Sequence, residues 1–90
     1  MPKQYPPLTP KEVVDILKAR GFSLKAQEGS HAQYEGLIDG RTRKVTVDMA
    51  EKDFGKDLIQ SMIRQSGLDR NKFYCSSPKT SKKINKKSEL

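Results

Sequence analysis

The sequence predicts a two-layer α+β domain in which two helices cover one face of a three-stranded antiparallel sheet. Hydrophobic residues along the chain form a helical stripe, then three short strand-like stretches, then a second helical stripe. The dipeptide Asp39-Gly40 is of the kind favoured in two-residue hairpin turns. A chain of 90 residues accommodates one small domain, so an enzyme with separate cofactor and substrate lobes is excluded.

The first helix is predicted over about residues 10–20. Thr9 and Glu12 have the spacing of a capping box, and Gly21 supplies the left-handed residue that commonly ends a helix. The preceding residues 1–8 contain three prolines and are expected to form an extended arm. The apolar stripe of the helix consists of Val13, Val14, Ile16 and Leu17.

Three strands are predicted after this helix. Phe22, Leu24 and Ala26 alternate with polar residues, which is the period of a half-buried strand. A second strand is predicted at about residues 31–36 and a third at about residues 41–48. Because the turns between them are short, consecutive strands are expected to pair antiparallel.

The second helix follows the sheet and ends at Gly67. Asp69 is expected to cap a short turn that returns Phe73 to the core. Residues 9–75 therefore form the predicted domain. The apolar stripe of the second helix is predicted to be Leu58, Ile59, Met62 and Ile63.

The hairpin turn predicts which residues face each other in the second and third strands. With Asp39-Gly40 in the turn, His31 faces Asp48 and Glu35 faces Lys44 on the open side of the sheet. A slip of one residue would exchange the two faces, so the apolar match on the covered side supports this register. The residues predicted on the helix-covered side are Ala32, Tyr34, Val45 and Val47.

The chain is strongly basic, with 18 lysines and arginines against 11 acidic residues and a net charge of +7. This balance favours a polyanionic partner such as nucleic acid. Residues 76–90 are rich in lysine and serine and are predicted to be a disordered basic tail. The tail is either a non-specific phosphate tether or a solubilising terminus.

The single cysteine, Cys75, excludes an intramolecular disulfide, and the chain has no apolar stretch of the length of a signal peptide or membrane span. We therefore expect a cytoplasmic protein without a membrane partner.

His31 is the only histidine and follows Gly29-Ser30 at the entrance to a strand. Asp48 opposite it would orient the ring and favour its protonated form. Such a histidine can shuttle a proton when the 2′-hydroxyl of RNA attacks its own phosphate, and this chemistry needs no metal. The alternative is a solvent-exposed histidine without a catalytic role.

Basic and polar residues are candidates for RNA binding: Lys25 and Lys44 are expected on the open face with His31, and Arg41 and Arg43 near the hairpin tip, within reach of backbone phosphates. Their alternative role is a solvated charged face, and Ser30 has a further alternative in shaping its turn. The acidic residues between the third strand and second helix lack convincing metal-ligand spacing, so no metal and no cofactor are predicted. The RNA-binding candidates are Lys25, Ser30, Arg41, Arg43 and Lys44, and the acidic residues are Asp48, Glu51, Asp53 and Asp57.

Four short motifs occur along the predicted domain: Lys18-Ala19-Arg20-Gly21-Phe22, Gly29-Ser30-His31, Val45-Thr46-Val47 and Ile63-Arg64-Gln65-Ser66-Gly67-Leu68, followed by Phe73. With these motifs the chain from about Thr9 to Phe73 resembles HicA-type toxins, which are small endoribonucleases of bacterial toxin–antitoxin pairs. The resemblance implies a fold like a double-stranded-RNA-binding domain and cleavage of messenger RNA with His31 as the catalytic residue. It also implies a HicB-type antitoxin that binds the toxin and blocks its active face.

The chain departs from this family pattern after the third strand. Many HicA-type toxins have Pro-x-His there, whereas this chain has Asp48 in place of the proline and no second histidine. Asp48 is predicted to compensate in part by orienting His31. We therefore expect a metal-independent endoribonuclease toxin, monomeric when free; the alternative is a non-catalytic RNA-binding or partner-binding module that uses the same face.

Overall fold

A computed structural model describes residues 5–78, 80 and 81 of the protein. The three strands form one antiparallel sheet in the order β1-β2-β3, which confirms the predicted α+β class. No helix in the described part of the chain is long and apolar enough to cross a bilayer. The elements are α1 (Pro10–Ala19), β1 (Ser23–Glu28), β2 (His31–Ile38), β3 (Arg41–Asp48), α2 (Lys56–Ser66) and α3 (Arg70–Cys75).

The first helix begins with the predicted capping box. The backbone N–H of Glu12 donates to Thr9 Oγ1 at 3.2 Å, and the backbone N–H of Thr9 donates to Glu12 Oε1 at 2.9 Å. These bonds satisfy amide groups that have no partner within the helix. Arg20 caps the other end, and Gly21 follows with a φ of 89° that glycine adopts without strain.

The β2–β3 hairpin has the predicted register. Asp39 and Gly40 occupy the turn with φ values of 55° and 77°, which is the backbone of the turn type favoured in two-residue hairpins. β2 continues to Ile38, two residues beyond its predicted end. The facing pairs include Ile38 with Arg41, Tyr34 with Val45, Ala32 with Val47 and His31 with Asp48.

The core lies between the helices and one face of the sheet, as predicted, but two residues expected to belong to it are exposed. Leu24 is 49% exposed and Leu58 is 50% exposed, so the predicted burial of both residues is wrong. The helices contact the sheet mainly through β3, and β1 bulges at Lys25, which leaves all of β1 exposed. The core includes Val13, Ile16, Leu17, Ala32, Tyr34, Val45, Val47, Ile59, Met62, Phe73 and Tyr74.

The described part of the N-terminal arm is anchored to the domain. Leu8 is fully buried and forms an antiparallel bridge with Phe54, whose backbone N–H donates to Leu8 O at 2.7 Å. The Tyr74 hydroxyl donates to the carbonyl of Pro6 at 2.7 Å. The first four residues of the predicted arm lie outside the described residues.

The domain extends further at its C-terminal end than the predicted boundary at residue 76. Ser77 and Thr80 are buried, and the Thr80 hydroxyl donates to the backbone carbonyls of Tyr74 and Ser77. The prediction that the tail begins at residue 76 is therefore wrong for its first residues. Small polar side chains are buried here because the backbone supplies their hydrogen bonds. Residues 82–90 of the predicted tail lie outside the described residues.

Candidate active site

His31 and Asp48 lie opposite each other where β2 begins and β3 ends, on the sheet face that the helices leave open. His31 Nε2 is 3.8 Å from Asp48 Oδ2. This separation is too long for a hydrogen bond. The imidazole and the carboxylate form an ion pair when the ring is protonated. The His31 side chain is 63% exposed, whereas that of Asp48 is 30% exposed. The ring is therefore accessible to a substrate while its acidic neighbour is partly covered.

The Asp48 carboxylate is held by the turn that follows β3. The backbone N–H of Ala50 donates to Asp48 Oδ1 at 3.0 Å, and the Ser30 side chain also bonds to the carboxylate. The backbone N–H of Met49 donates to Ser30 O at 2.7 Å, which ties the two segments together. These contacts give the carboxylate a fixed position beside the His31 ring.

The same contacts hold the pKa of Asp48 below its ordinary value of 3.8. The hydrogen bond from Ala50 contributes most and that from Ser30 comes next; desolvation opposes them, and the charge of His31 adds a smaller lowering. Asp48 is consequently ionised at neutral pH, and a fixed negative charge stands beside the His31 ring.

Asp48→Asn is expected to lose a stabilising contribution that depends on pH. Because the pKa of Asp48 is lower in the folded state than in the unfolded chain, its carboxylate stabilises the fold above about pH 4. This contribution disappears as the pH falls through the folded-state value. The free energies of unfolding of the parent and the variant should therefore differ more at about pH 6 than at about pH 3 in urea titrations.

The matched control is Asp53→Asn, which removes an exposed carboxylate from the segment between β3 and α2. Within the described residues Asp53 has no side-chain hydrogen bond, so its substitution should leave the pH dependence of stability unchanged. An Asp48→Asn deficit of equal size at both pH values would contradict the role assigned to the charge.

Lys25 and Lys44 lie on the open face with His31, as predicted. Glu35 sits between them, with Lys25 Nζ 3.6 Å from Oε1 and Lys44 Nζ 3.9 Å from Oε2. Both lysine side chains are more than half exposed, and exposed pairs of this kind contribute only about 0–1 kcal/mol. Two lysines share one carboxylate, so the group keeps a net positive charge and can bind a phosphate.

Arg41 and Arg43 do not lie beside His31. Arg41 is exposed next to the hairpin turn. Arg43 faces the helix-covered side and packs closely against Gly67. A Cβ added to Gly67 would lie 2.7 Å from Arg43 Nε. That Nε is buried and has no hydrogen-bond partner among the described residues. The Arg43 side chain lies at the C-terminal end of α2, where the helix dipole favours a positive charge. Arg43 is therefore not part of the candidate site.

A groove of about 240 Å³ lies between β3 and α2, and its lining includes His31 and Asp48. Gln65 is fixed in this groove because its Oε1 accepts from the backbone N–H of Thr46 at 3.3 Å and its Nε2 donates to Ser61 Oγ at 3.3 Å. The sequence prediction missed the groove and assigned one of its walls to the core. The lining residues are His31, Thr46, Asp48, Glu51, Phe54, Leu58, Ser61, Met62 and Gln65.

Within the described part of the chain, no three histidine, cysteine or acidic side chains come close enough together to hold a metal ion. A fixed carboxylate lies beside the His31 imidazole, and two exposed lysines lie farther along the same face, around Glu35. This set is suited to proton transfer and to binding an anion.

A helix, three antiparallel strands and further helices that pack on one sheet face define a small α+β domain consistent with the double-stranded-RNA-binding-domain-like class. Its open face presents the exposed histidine. The sequence profile of the family described as HicA toxin of bacterial toxin–antitoxin systems matches residues 10–68, more than half of the chain. The chain therefore belongs to the HicA toxin family, and an antitoxin partner follows from that membership. No curated protein matches the chain.

Proposed function

We propose that this protein is a toxin that inactivates messenger RNA by metal-independent endonucleolytic cleavage at His31. It acts in the cytoplasm as a monomer and is neutralised by a HicB-type antitoxin. The observation that carries the proposal is the exposed His31 ring beside the fixed Asp48 carboxylate in a domain of the HicA toxin family.

In the proposed reaction, the 2′-oxygen of a ribose bonds to the adjacent phosphorus and the bond from phosphorus to the 5′-oxygen breaks. The protonated ring of His31 donates its proton to the departing 5′-oxygen, and water takes the proton of the 2′-hydroxyl. The products are a 2′,3′-cyclic phosphate and a 5′-hydroxyl. Asp48 positions the ring and balances its positive charge before the proton is transferred.

Lys25 and Lys44 provide positive charge on the same face, where the RNA backbone next to the cleaved phosphate would run. When RNA is absent they share Glu35, and a phosphate can replace those weak exposed contacts. We assign Arg41, which is exposed next to the hairpin turn, a contact with the RNA backbone farther along the strand. Ser30 bonds to Asp48, so we assign it a positioning role rather than a substrate contact.

The purified protein is expected to cut single-stranded RNA into fragments with 2′,3′-cyclic phosphate and 5′-hydroxyl ends. Because the reaction uses the ribose hydroxyl and no metal, the rate should be the same with a chelator as with Mg²⁺. The measurement is a gel assay followed by chemical analysis of the ends. An RNA with 2′-deoxyribose at the cleaved position is the control and should stay intact. Activity lost with the chelator and restored by a divalent cation would contradict the proposal.

The second candidate is a non-catalytic RNA-binding module that uses the same face. The observation favouring it is that the sequence has a single histidine, so two histidines cannot divide the acid and base roles. This candidate predicts RNA binding that weakens with salt, without any cleavage product. The end-group assay separates the two functions directly.

A further inference from the structure

We propose that the groove between β3 and α2 is a nucleobase-binding subsite that prefers bases with an amino group over uracil. Its occupant is the base of a nucleotide adjacent to the cleaved phosphate. The inference rests on the proposed cleavage of RNA at His31 and adds a source of sequence preference to it.

The groove adjoins the proposed catalytic residue. His31 and Asp48 are among its lining residues, so a phosphate bound at His31 brings its neighbouring base to the groove. The volume of about 240 Å³ is smaller than the roughly 300–1,000 Å³ of pockets for drug-sized ligands. The groove is therefore sized for one planar ring system.

The walls of the groove include several apolar side chains. Phe54 and Met62 are buried beneath the groove, and Leu58 contributes an apolar side chain that is half exposed. Apolar walls suit the flat faces of a base, and proteins that recognise single-stranded RNA commonly combine such contacts with hydrogen bonds to the edge of the base. The exposed Leu58 is then explained by a ligand that covers it.

The polar groups of the groove indicate which bases fit. Glu51 is exposed and, within the described residues, its carboxylate has no hydrogen-bond donor. A carboxylate only accepts hydrogen bonds, and it pairs with amino groups such as that of cytosine. Uracil has no amino group, and its one ring N3–H lies between two carbonyl oxygens that the carboxylate repels, so it is a poorer partner for Glu51. The charge of Glu51 also repels a second phosphate, which favours the base rather than the backbone as the occupant.

The test is cleavage of short oligoribonucleotides that differ in one base next to a single cleavable phosphate. The parent protein is expected to cleave sites with adenine, guanine or cytosine about 10-fold faster, by kcat/KM, than sites with uracil. Glu51→Gln should abolish most of this preference, because an amide both donates and accepts. Leu58→Ala should raise KM several-fold with little change in kcat. Leu24→Ala is the control, since Leu24 is equally exposed but lies on β1 away from the groove.

The outcomes separate this inference from the proposed function. If the parent protein cleaves RNA without base preference, or if Glu51→Gln keeps the preference, the subsite is wrong while the ribonuclease proposal stands. If Leu58→Ala leaves RNA cleavage unchanged but weakens binding of the antitoxin, the groove belongs to the protein partner and the inference is overturned. If no RNA is cleaved by the parent protein, the proposed function fails and the subsite fails with it.

Discussion

Replacing His31 with alanine is expected to reduce the rate of RNA cleavage by roughly 10²–10⁴-fold, the usual contribution of a positioned acid or base. The ring is the only imidazole in the chain, so no second histidine can replace it. In a bacterium that expresses the protein without its antitoxin, the parent should arrest growth and deplete messenger RNA. His31→Ala should do neither. Growth curves and total messenger RNA measured after induction provide the test.

The loss must come from chemistry rather than from misfolding. Since His31 is 63% exposed, its truncation should leave the thermal unfolding temperature nearly unchanged. Gln33→Ala is the matched control, because Gln33 is the next exposed residue of β2 on the same face and should keep its activity. Asp48→Asn, which retains an oxygen for the Ala50 amide, should fall between the parent and His31→Ala. Cleavage by His31→Ala at the parental rate would remove the basis of the proposed mechanism.

The hairpin that carries these residues was predictable because its determinants are local. Asp39-Gly40 adopts the positive φ values that its turn requires, and the turn sets every facing pair of β2 and β3. The pairing of His31 with Asp48 follows from that register alone. The position of Arg43 was predictable in the same way, since it shares its face with Val45, but the sequence prediction placed it among the RNA-binding residues.

Other features depend on how the helices and strands pack against one another. The periodicity of the sequence carries no information about that packing. A pattern shows which residues share a face, but it does not show whether another element covers that face. Leu24 fits its pattern and is nevertheless exposed, because the helices pack mainly over β3 rather than β1. Leu58 also fits its pattern, but it lines the open groove and is half exposed. Ser77 and Thr80 are buried without any apolar signal in the sequence.

The groove was missed for the same reason. It exists because α2 lies close enough to the edge of the sheet for Gln65 to accept from the backbone N–H of Thr46. That contact joins residues 19 positions apart, and nothing local specifies it. Leu58, Ser61 and Gln65 recur at helical spacing, so the sequence does indicate that these three residues share one face of α2. The sequence does not indicate that β3 lies opposite this face.

Gly36→Ala is expected to destabilise the fold by about 1–3 kcal/mol through overpacking. A Cβ at Gly36 would lie 2.8 Å from Cγ of Phe22 and 3.1 Å from its Cα. Phe22 is 3% exposed, so its ring has little free space into which to move. The free energy of unfolding from urea titration provides the measurement. Gly55→Ala is the control, because a Cβ there meets no atom within 4 Å. Equal losses in the two variants would contradict the steric explanation.

A double-mutant cycle with Phe22→Leu identifies the clashing group. If the aromatic ring causes the strain, Gly36→Ala should cost less in the Phe22→Leu background, with a coupling of about 0.5 kcal/mol or more. The relief should be partial, because the contact with the Phe22 Cα belongs to the backbone and remains.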